Sequence, residues 1–438
     1  MPQADPKDPV GNRTRWARWS KRLIEFFVGQ GLIQLLGLIT GFLFLRWLSV
    51  EAYAQFGVAF GFQCTLVLLA DLGLSSCVIA LVGERFADPR VVGAYIRAGR
   101  FQRNQFFLAA IPLSAIAFHV LATRQRWDLR TEALLFASIV FGLFFQGMAS
   151  FYTAPLFMHH RLRQYYNAQL VAGAGRLGGG WFLHLASALT SVTTAWLGSI
   201  ATTVSAFICY RASRPLIVEP EYPDPALRRE MLRYIAPIIP GAVFFAFQGQ
   251  ISIFIISFFG HTKSVAEIAA LGRLGQLLGI IASINGVLIG PYVAKLSVRE
   301  FPRRYFQIVL GGTLICVVLV FAAFAFPSAL LLLLGPKYSH LRRETGFSLL
   351  AWSINYLSGL VYILHLSRKW VYWWGSAAQI AVVCLIQIFC VITMDLNSTM
   401  SVLHFSVFSS LGTLLVQAII GIYGLKFGPP KGLQQANG

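Results

Sequence analysis

The sequence has little charge for its length. Asp, Glu, Lys and Arg make up 12% of its 438 residues, whereas 56% are hydrophobic. Apolar runs of about 18 or more residues recur, and each is long enough to cross a hydrocarbon core of roughly 30 Å. A soluble protein would separate such runs with much more polar sequence, and the strands of a membrane β-barrel alternate over only about 10 residues. The composition therefore predicts an all-α polytopic membrane protein.

The sequence also lacks the motifs of metal centres and of nucleotide-driven enzymes. Its six cysteines include no CxxC pair and lie in or beside apolar runs, so we expect buried apolar side chains rather than a metal site or disulfides. No P-loop is present, and no cofactor is expected. No catalytic constellation stands out, and the gaps on the predicted outer side are short. We therefore expect a protein that is not an enzyme.

Acidic residues are scarce as well, with 17 Asp and Glu against 36 Lys and Arg, which gives a net charge of +19. Such a charge could indicate a nucleic-acid partner, but the basic residues lie in the gaps between apolar runs. With a cytoplasmic N-terminus, 26 Lys and Arg fall on the cytoplasmic side and 7 on the opposite side. This is the positive-inside pattern. We predict both termini in the cytoplasm and no nucleic-acid partner.

Twelve spans are predicted, six in each half of the chain. Their approximate bounds are 23–48, 52–69, 105–122, 132–158, 167–187, 192–210, 235–259, 265–293, 305–334, 346–366, 371–394 and 402–423. The predicted regions are a cytoplasmic N-terminal segment (1–22), an N-terminal six-helix bundle (23–210), a cytoplasmic linker (211–233), a C-terminal six-helix bundle (234–423) and a cytoplasmic tail (424–438). Residues 83–104 are predicted to be a basic gap. Six spans per half imply a parallel repeat, with the binding site between the halves.

Two arginines lie inside predicted spans. Arg176 sits in GAGRLGGG near the middle of span 5, and Arg273 lies early in span 8. A charge at mid-bilayer costs about 2.5–3.5 kcal/mol on insertion scales, so it usually faces a partner or a watery cavity. A cavity would use such arginines to hold a phosphate or an acidic sugar, because guanidinium binds oxyanions in a fork. A structural ion pair is the alternative.

Polar residues on span 1 form a second candidate feature. Gln30, Gln34, Gly37 and Gly41 share one helix face. This stripe either lines a cavity, with the amides bonding sugar hydroxyls, or packs closely against another helix through its small residues. Glu25 and Asp71 lie near span ends and are candidates for ion coupling or for pairing with a cavity arginine; interfacial solvation is the simpler role.

Three local patterns resemble the polysaccharide (O-antigen and exopolysaccharide) flippases of the multidrug/oligosaccharidyl-lipid/polysaccharide (MOP) exporter superfamily. They are LSVEAYAQFGVAF (48–60) closed by DLGL (71–74), the basic, aromatic and Pro-marked LRYIAPIIPG (232–241), and the Gly-x-x-Tyr turn in LLGPKYS (333–339). The layout of the spans matches over nearly the whole chain.

The resemblance implies two six-helix bundles in a MATE-like V, with spans 1, 2, 7 and 8 lining a central cavity. It implies alternating-access transport of a polyprenyl-diphosphate-linked oligosaccharide across the bacterial inner membrane. Arg273 and Arg176 would hold the diphosphate or an acidic sugar, and Gln30 and Gln34 would contact hydroxyls. The expected partners are this glycan lipid, membrane lipid and other polysaccharide assembly proteins.

Other functions stay open. An ion-coupled drug antiporter of the same superfamily is one, although span 1 lacks the central acidic residue that such exporters often use. An integral-membrane glycan polymerase or ligase is another, and it predicts a large outer loop that the sequence lacks. A non-transporting assembly scaffold is the third.

Overall fold

The computed structural model describes residues 9–159, 161–236, 239–285, 289–294, 296–297, 299–368, 370 and 372–428. Within these ranges the chain is helical and contains no strand, as predicted. The first half and the linker contain α1 (Pro9–Trp47), α2 (Val50–Asp71), α3 (Leu74–Val82), α4 (Pro89–Arg124), α5 (Leu129–Met158), α6 (Leu162–Leu185), α7 (Ser191–Ser213) and α8 (Pro225–Ile235). The second half contains α9 (Ile239–Gln248), α10 (Ile251–Phe259), α11 (Thr262–Ile284), α12 (Gly290–Ala294), α13 (Phe301–Ala325), α14 (Pro327–Leu334), α15 (Arg342–Ser367), α16 (Trp373–Thr393) and α17 (Thr399–Phe427).

By length and apolar composition, nine helical stretches of the described chain qualify as membrane spans, or ten if the bent pair α8–α9 counts as one. Leaving out the short linker helix α8 and taking α2–α3, α9–α10, α11–α12 and α13–α14 as one passage each gives twelve passages, the number predicted. The passages that miss the composition test include α6 and α11, which carry Arg176 and Arg273. A helix that faces a polar cavity needs less apolar surface than one surrounded by lipid.

The prediction of a basic gap over residues 83–104 is wrong for most of its length. A short 3₁₀ turn covers Gly83–Ala87, and α4 then begins at Pro89. The carboxylate of Asp88 caps this helix by accepting from the backbone N–H of Arg90 at 2.9 Å. An Asp cap followed by Pro is a strong helix start, so the basic residues of this stretch lie on a helix.

The linker between the halves packs against the beginning of α4. Arg100 forms an ion pair with Glu219 at 3.2 Å, and the Tyr95 hydroxyl donates to Glu230 at 2.8 Å. The backbone of Val218 also donates to the Pro89 carbonyl at 2.9 Å. These contacts involve residues of the predicted basic gap, and they attach the linker to the first half.

The apolar core is shared by both halves at one end of the molecule and divided at the other. The turn end carries the α1–α2, α4–α5 and α10–α11 connections, and the linker end carries the α3–α4 and α7–α8 connections. One buried cluster joins both halves at the turn end. A second cluster, in the first half and linker, and a third, in the second half, lie toward the linker end. The halves therefore pack together at the turn end and keep separate cores at the linker end.

Polar bonds also connect the halves at the turn end. Lys337 Nζ donates to the carbonyls of Arg46 at 3.0 Å and Leu48 at 2.5 Å, at the end of α1. In return, the Arg46 guanidinium donates to the carbonyl of Leu332, at the end of α14. Gln125 donates to two carbonyls near the end of α10, at 2.8 and 3.0 Å. Each half thus supplies donors to orphan carbonyls at helix ends of the other.

Candidate substrate-binding cavity

A cavity with two lobes lies between the halves. The N-side lobe, about 700 Å³, is lined by α1, α2, α5, α6, α7 and one face of α11. The C-side lobe, about 230 Å³, is lined by α2, the α9–α10 connection, α11, α15 and α17. Phe60, Arg273 and Gln276 line both lobes. These three side chains form the boundary between the lobes.

Arg273 is held at this boundary by neutral groups. It is 9% exposed, and its Nε donates to the Tyr53 hydroxyl at 3.0 Å. Its guanidinium carbon lies 5.2 Å from the ring centre of Phe60. A Cβ added to Gly41 of α1 would lie 3.1 Å from Nη1, so glycine at this position allows α1 to approach the charge. The contacts fix the guanidinium in place without neutralising it.

Arg176 faces the N-side lobe from α6. Its Nε is buried and has no hydrogen-bond partner among the described residues. The ion pairs of the described chain involve neither Arg176 nor Arg273, and the two guanidinium groups repel each other. Neither lobe has an Asp or Glu among its described lining residues. Two cations on one cavity wall without a counter-charge, Arg273 buried and Arg176 half-buried, are suited to hold an oxyanion.

A third buried arginine, Arg103 on α4, has a different environment. It is 2% exposed, and its guanidinium donates to the carbonyl of Leu143 on α5. A Cβ at Gly147 would lie 1.8 Å from the guanidinium carbon, so this glycine forms the notch that the side chain fills. Asp71 supplies an attractive negative charge nearby. Arg103 is absent from the described lining of the cavity and connects α4 to α5.

Neither acidic candidate is among the described lining residues of the cavity. The Asp71 carboxylate accepts from the backbone N–H and the hydroxyl of Ser75, at 3.2 and 2.9 Å, and so caps α3. Glu25 lies in α1, but its side chain falls outside the described part of the structure. Their role in ion coupling stays a prediction. Among the described residues, no group of three or more His, Cys, Asp or Glu could hold a metal ion.

Part of the predicted polar stripe on α1 faces the cavity. Gln34, Gly37 and Gly41 line the N-side lobe, whereas Gln30 is not among its described lining residues. Gln248 lines the C-side lobe and also accepts from Gln387 at 2.7 Å. The amides on the cavity surface therefore come from α9 as well as α1.

Sequence reasoning missed several residues of the cavity wall. Tyr53 and Phe60, which hold Arg273, are seven residues apart on α2 and so share a face. Gln276 follows Arg273 by three residues and shares its face of α11. That spacing is a signal the sequence offered, because a polar side chain one turn from a buried arginine extends the same polar face. Gln63 of α2 is a further lining residue that gave no clear signal.

Known structures share this arrangement of helices. A multidrug resistance MATE family transporter of the MOP superfamily, in an inward-facing conformation, is similar with a TM-score of 0.62 and 13% identity, covering 93% of this chain and 96% of that one. Lipid II flippase MurJ, in an inward closed conformation, is similar with a TM-score of 0.67 and 14% identity, covering 92% of this chain and 87% of that one. The eukaryotic MATE transporter AtDTX14 has a TM-score of 0.55 and 11% identity, covering 93% and 96%.

The likeness is one of fold rather than of sequence. No family model matches the sequence, and the search of curated proteins finds no similar chain. The structural matches nevertheless extend over more than nine-tenths of the chain. The protein is thus a multi-pass membrane protein with the MATE-like fold of MOP-superfamily transporters.

Proposed function

We propose that this protein flips a polyprenyl-diphosphate-linked oligosaccharide across the bacterial inner membrane during polysaccharide assembly. The observation that carries the proposal is the pair of arginines, buried Arg273 and half-buried Arg176, in a cavity whose described lining contains no carboxylate. A diphosphate offers the charge and the oxygen atoms that two guanidinium groups bind well. The transported oligosaccharide is used for the synthesis of O-antigen, capsule or exopolysaccharide.

The proposed mechanism is alternating access without a covalent step. The head group enters from the linker end, where the halves have separate cores, while the polyprenyl tail stays in lipid. Arg273 and Arg176 bind the diphosphate, and Gln34 contacts a sugar hydroxyl. The halves then part at the turn end, where Lys337 and Arg46 connect them, and the head group leaves. In the cell the linker end is cytoplasmic, as are both termini.

An ion-coupled multidrug antiporter is the alternative function. It is supported by the fold, because the similar structures include multidrug transporters as well as a lipid II flippase. The charges of the cavity argue against export of cationic drugs, since a buried cation repels them. Export of anionic small molecules fits the arginines as well as a lipid diphosphate does, so the two cargoes need an experimental distinction.

The first experiment locates the lipid-linked repeat units in a deletion strain. Flipping predicts that they accumulate in the inner leaflet and that surface polysaccharide is lost. Wild-type protein should restore both, and the Arg176→Gln and Arg273→Gln variants should not. Arg233→Gln, an exposed change on α8, is the matched control and should complement fully.

Two outcomes would contradict the proposal. Accumulation of unpolymerised units in the outer leaflet would place the protein after flipping, as a polymerase or ligase. Normal surface polysaccharide together with loss of dye or anion efflux would favour the small-molecule antiporter. Full complementation by both arginine variants at normal protein levels would remove the assigned role of these residues.

A further inference from the structure

The C-side lobe is polar but nearly uncharged. Its described lining includes the amides of Gln250 and Asn355, the hydroxyl of Ser409 and the indole of Trp352, and its single charged side chain is Arg273 at the boundary. The N-side lobe, in contrast, has two guanidinium groups. The two lobes therefore differ in the chemistry that they offer to a ligand.

Two side chains in this lobe have polar groups without a hydrogen-bond partner among the described residues. Asn355 lies in the middle of the long helix α15, and it is exposed there, on the wall of the lobe. An amide at this depth is costly in lipid unless it faces a polar space. Ser409 of α17 is only 1% exposed, yet its hydroxyl has no hydrogen-bond partner among the described residues. A buried hydroxyl without a protein partner is available to a ligand or a water.

Part of the wall of the lobe is a break in a membrane passage. α9 ends at Gln248 and α10 begins at Ile251, and residues 248–253 line the lobe. Non-helical backbone at membrane depth is tolerated where it lines a cavity, and broken helices commonly form the substrate sites of transporters. The lobe thus combines polar side chains with a non-helical stretch of backbone.

Neutral donors and acceptors around an aromatic face suit a neutral polyol better than an ion. Trp352 packs on Gly275 of α11, since a Cβ there would lie 2.3 Å from the indole, and its ring also lines the lobe. Amides and hydroxyls can pair with the hydroxyls of a sugar, and an indole ring covers its apolar face. A volume of about 230 Å³ is below the range of about 300–1,000 Å³ for drug-sized ligands, which favours a single ring.

We propose that the C-side lobe is the subsite for the sugar nearest the diphosphate, with Asn355, Ser409 and Trp352 as its recognition residues. This inference rests on the proposed function, because it takes the arginines to hold the diphosphate of the same molecule. Arg273 at the boundary places the charge beside the neutral lobe. The lobe selects for a glycosylated lipid, whereas the arginines bind the diphosphate of any polyprenyl carrier.

The test compares two lipids on the full-length purified protein. One is undecaprenyl diphosphate, and the other is the same lipid carrying one N-acetylhexosamine; the dissociation constant of each is measured. Asn355→Leu should weaken binding of the glycosylated lipid about tenfold and leave binding of the bare diphosphate unchanged. Trp352→Phe should keep most of the affinity, whereas Trp352→Ala should lose it for the glycosylated lipid only. Arg273→Gln should weaken the binding of both lipids.

Two controls separate recognition from folding. Ser409→Ala removes an unpaired hydroxyl, so the melting temperature should not change. Its affinity for the glycosylated lipid should fall a few-fold. Asn397→Leu, an exposed change in the α16–α17 turn, should alter neither affinity. The subsite is refuted if Asn355→Leu and Ser409→Ala affect both lipids equally or neither lipid. If the wild-type protein binds neither lipid, the proposed function fails and the subsite fails with it.

Discussion

Arg103 and the cavity arginines show how differently one residue type serves a membrane protein. Arg103 fills a notch at Gly147, bonds a carbonyl of the next helix and has Asp71 nearby. Arg176 and Arg273 instead face the cavity without an ion-pair partner among the described residues, and their like charges repel each other. Burial is therefore a poor guide to function, since Arg103 is the more deeply buried. The useful distinction is whether the surrounding protein already satisfies the charge.

The largest expected effect is a loss of stability when the notch that Arg103 fills is blocked. Gly147→Ala places a methyl group 1.8 Å from the guanidinium carbon, so the buried Arg103 side chain must leave its notch. Overpacking of this kind costs about 1–3 kcal/mol. We expect a lower melting temperature and less folded protein, with normal transport per folded molecule. Gly311→Ala on α13 is the matched control, because a Cβ there meets nothing within 4 Å. A Gly147→Ala protein of normal stability would contradict the structural role of Arg103.

The opposite pattern is expected for the cavity arginines. A hydrogen bond to a charged group contributes about 1.5–3 kcal/mol, so Arg273→Gln or Arg176→Gln should reduce transport roughly ten- to a hundredfold. The folded yield should not fall, because each change also relieves repulsion between like charges. Thermal melting and transport are measured on the same preparations. A drop in stability that matches the loss of transport would erase the contrast with Arg103.

Cys64 can report whether water reaches the cavity arginines from one end only. It lines the N-side lobe and is a free, half-buried thiol. In a Cys384→Ser background, an impermeant maleimide should modify it from the linker end. Lys337→Met removes two bonds to the end of α1 and should raise modification from the turn end several-fold. Equal labelling from both ends in the protein with Lys337 intact would contradict closure at the turn end.

The smallest expected effect is the change in transport rate when the two glutamines of α1 are replaced. Gln34 lines the cavity and Gln30 is not among its described lining residues. One neutral hydrogen bond contributes about 0.5–1.5 kcal/mol, so Gln34→Leu should lower transport about two- to threefold and Gln30→Leu should leave it unchanged. Initial rates in reconstituted vesicles are sensitive enough to separate the two. Equal effects would show that the cavity extends along α1 beyond its described wall.

The elements of the fold follow closely from local sequence. Long apolar runs predicted the membrane passages, and the polar break near Gly260 separates α10 from α11 as expected. Pro225 begins α8, and the Asp224 carboxylate caps it by accepting from the N–H of Ala226 at 2.8 Å. Such signals are readable because hydropathy and helix capping depend on neighbours in the chain.

The cavity was less predictable because it depends on contacts between distant helices. Arg176 and Arg273 were predicted as site residues because burying a charge is costly. The same cost applies to Arg103, which was predicted to lie in a basic gap. Tyr53 and Phe60 read as ordinary aromatics, and only the packing of α2 against α11 brings them to Arg273. Which face of a helix meets a cavity is a tertiary property that a single sequence does not specify.

The docking of the linker on α4 has a consequence for the order of assembly during synthesis. The buried cluster at the linker end of the first half ends with Met231 and Ile235 of α8, so all its core residues are made before α9. Chains generally fold N-terminal units first, and we expect this cluster to close while α11 is still inside the ribosome. Arg176 and Arg273 then meet only after α11 inserts. Protease resistance of nascent chains arrested after residue 300, when α8 has left the ribosome, would test this order, and cleavage within α4 at that stage would contradict it.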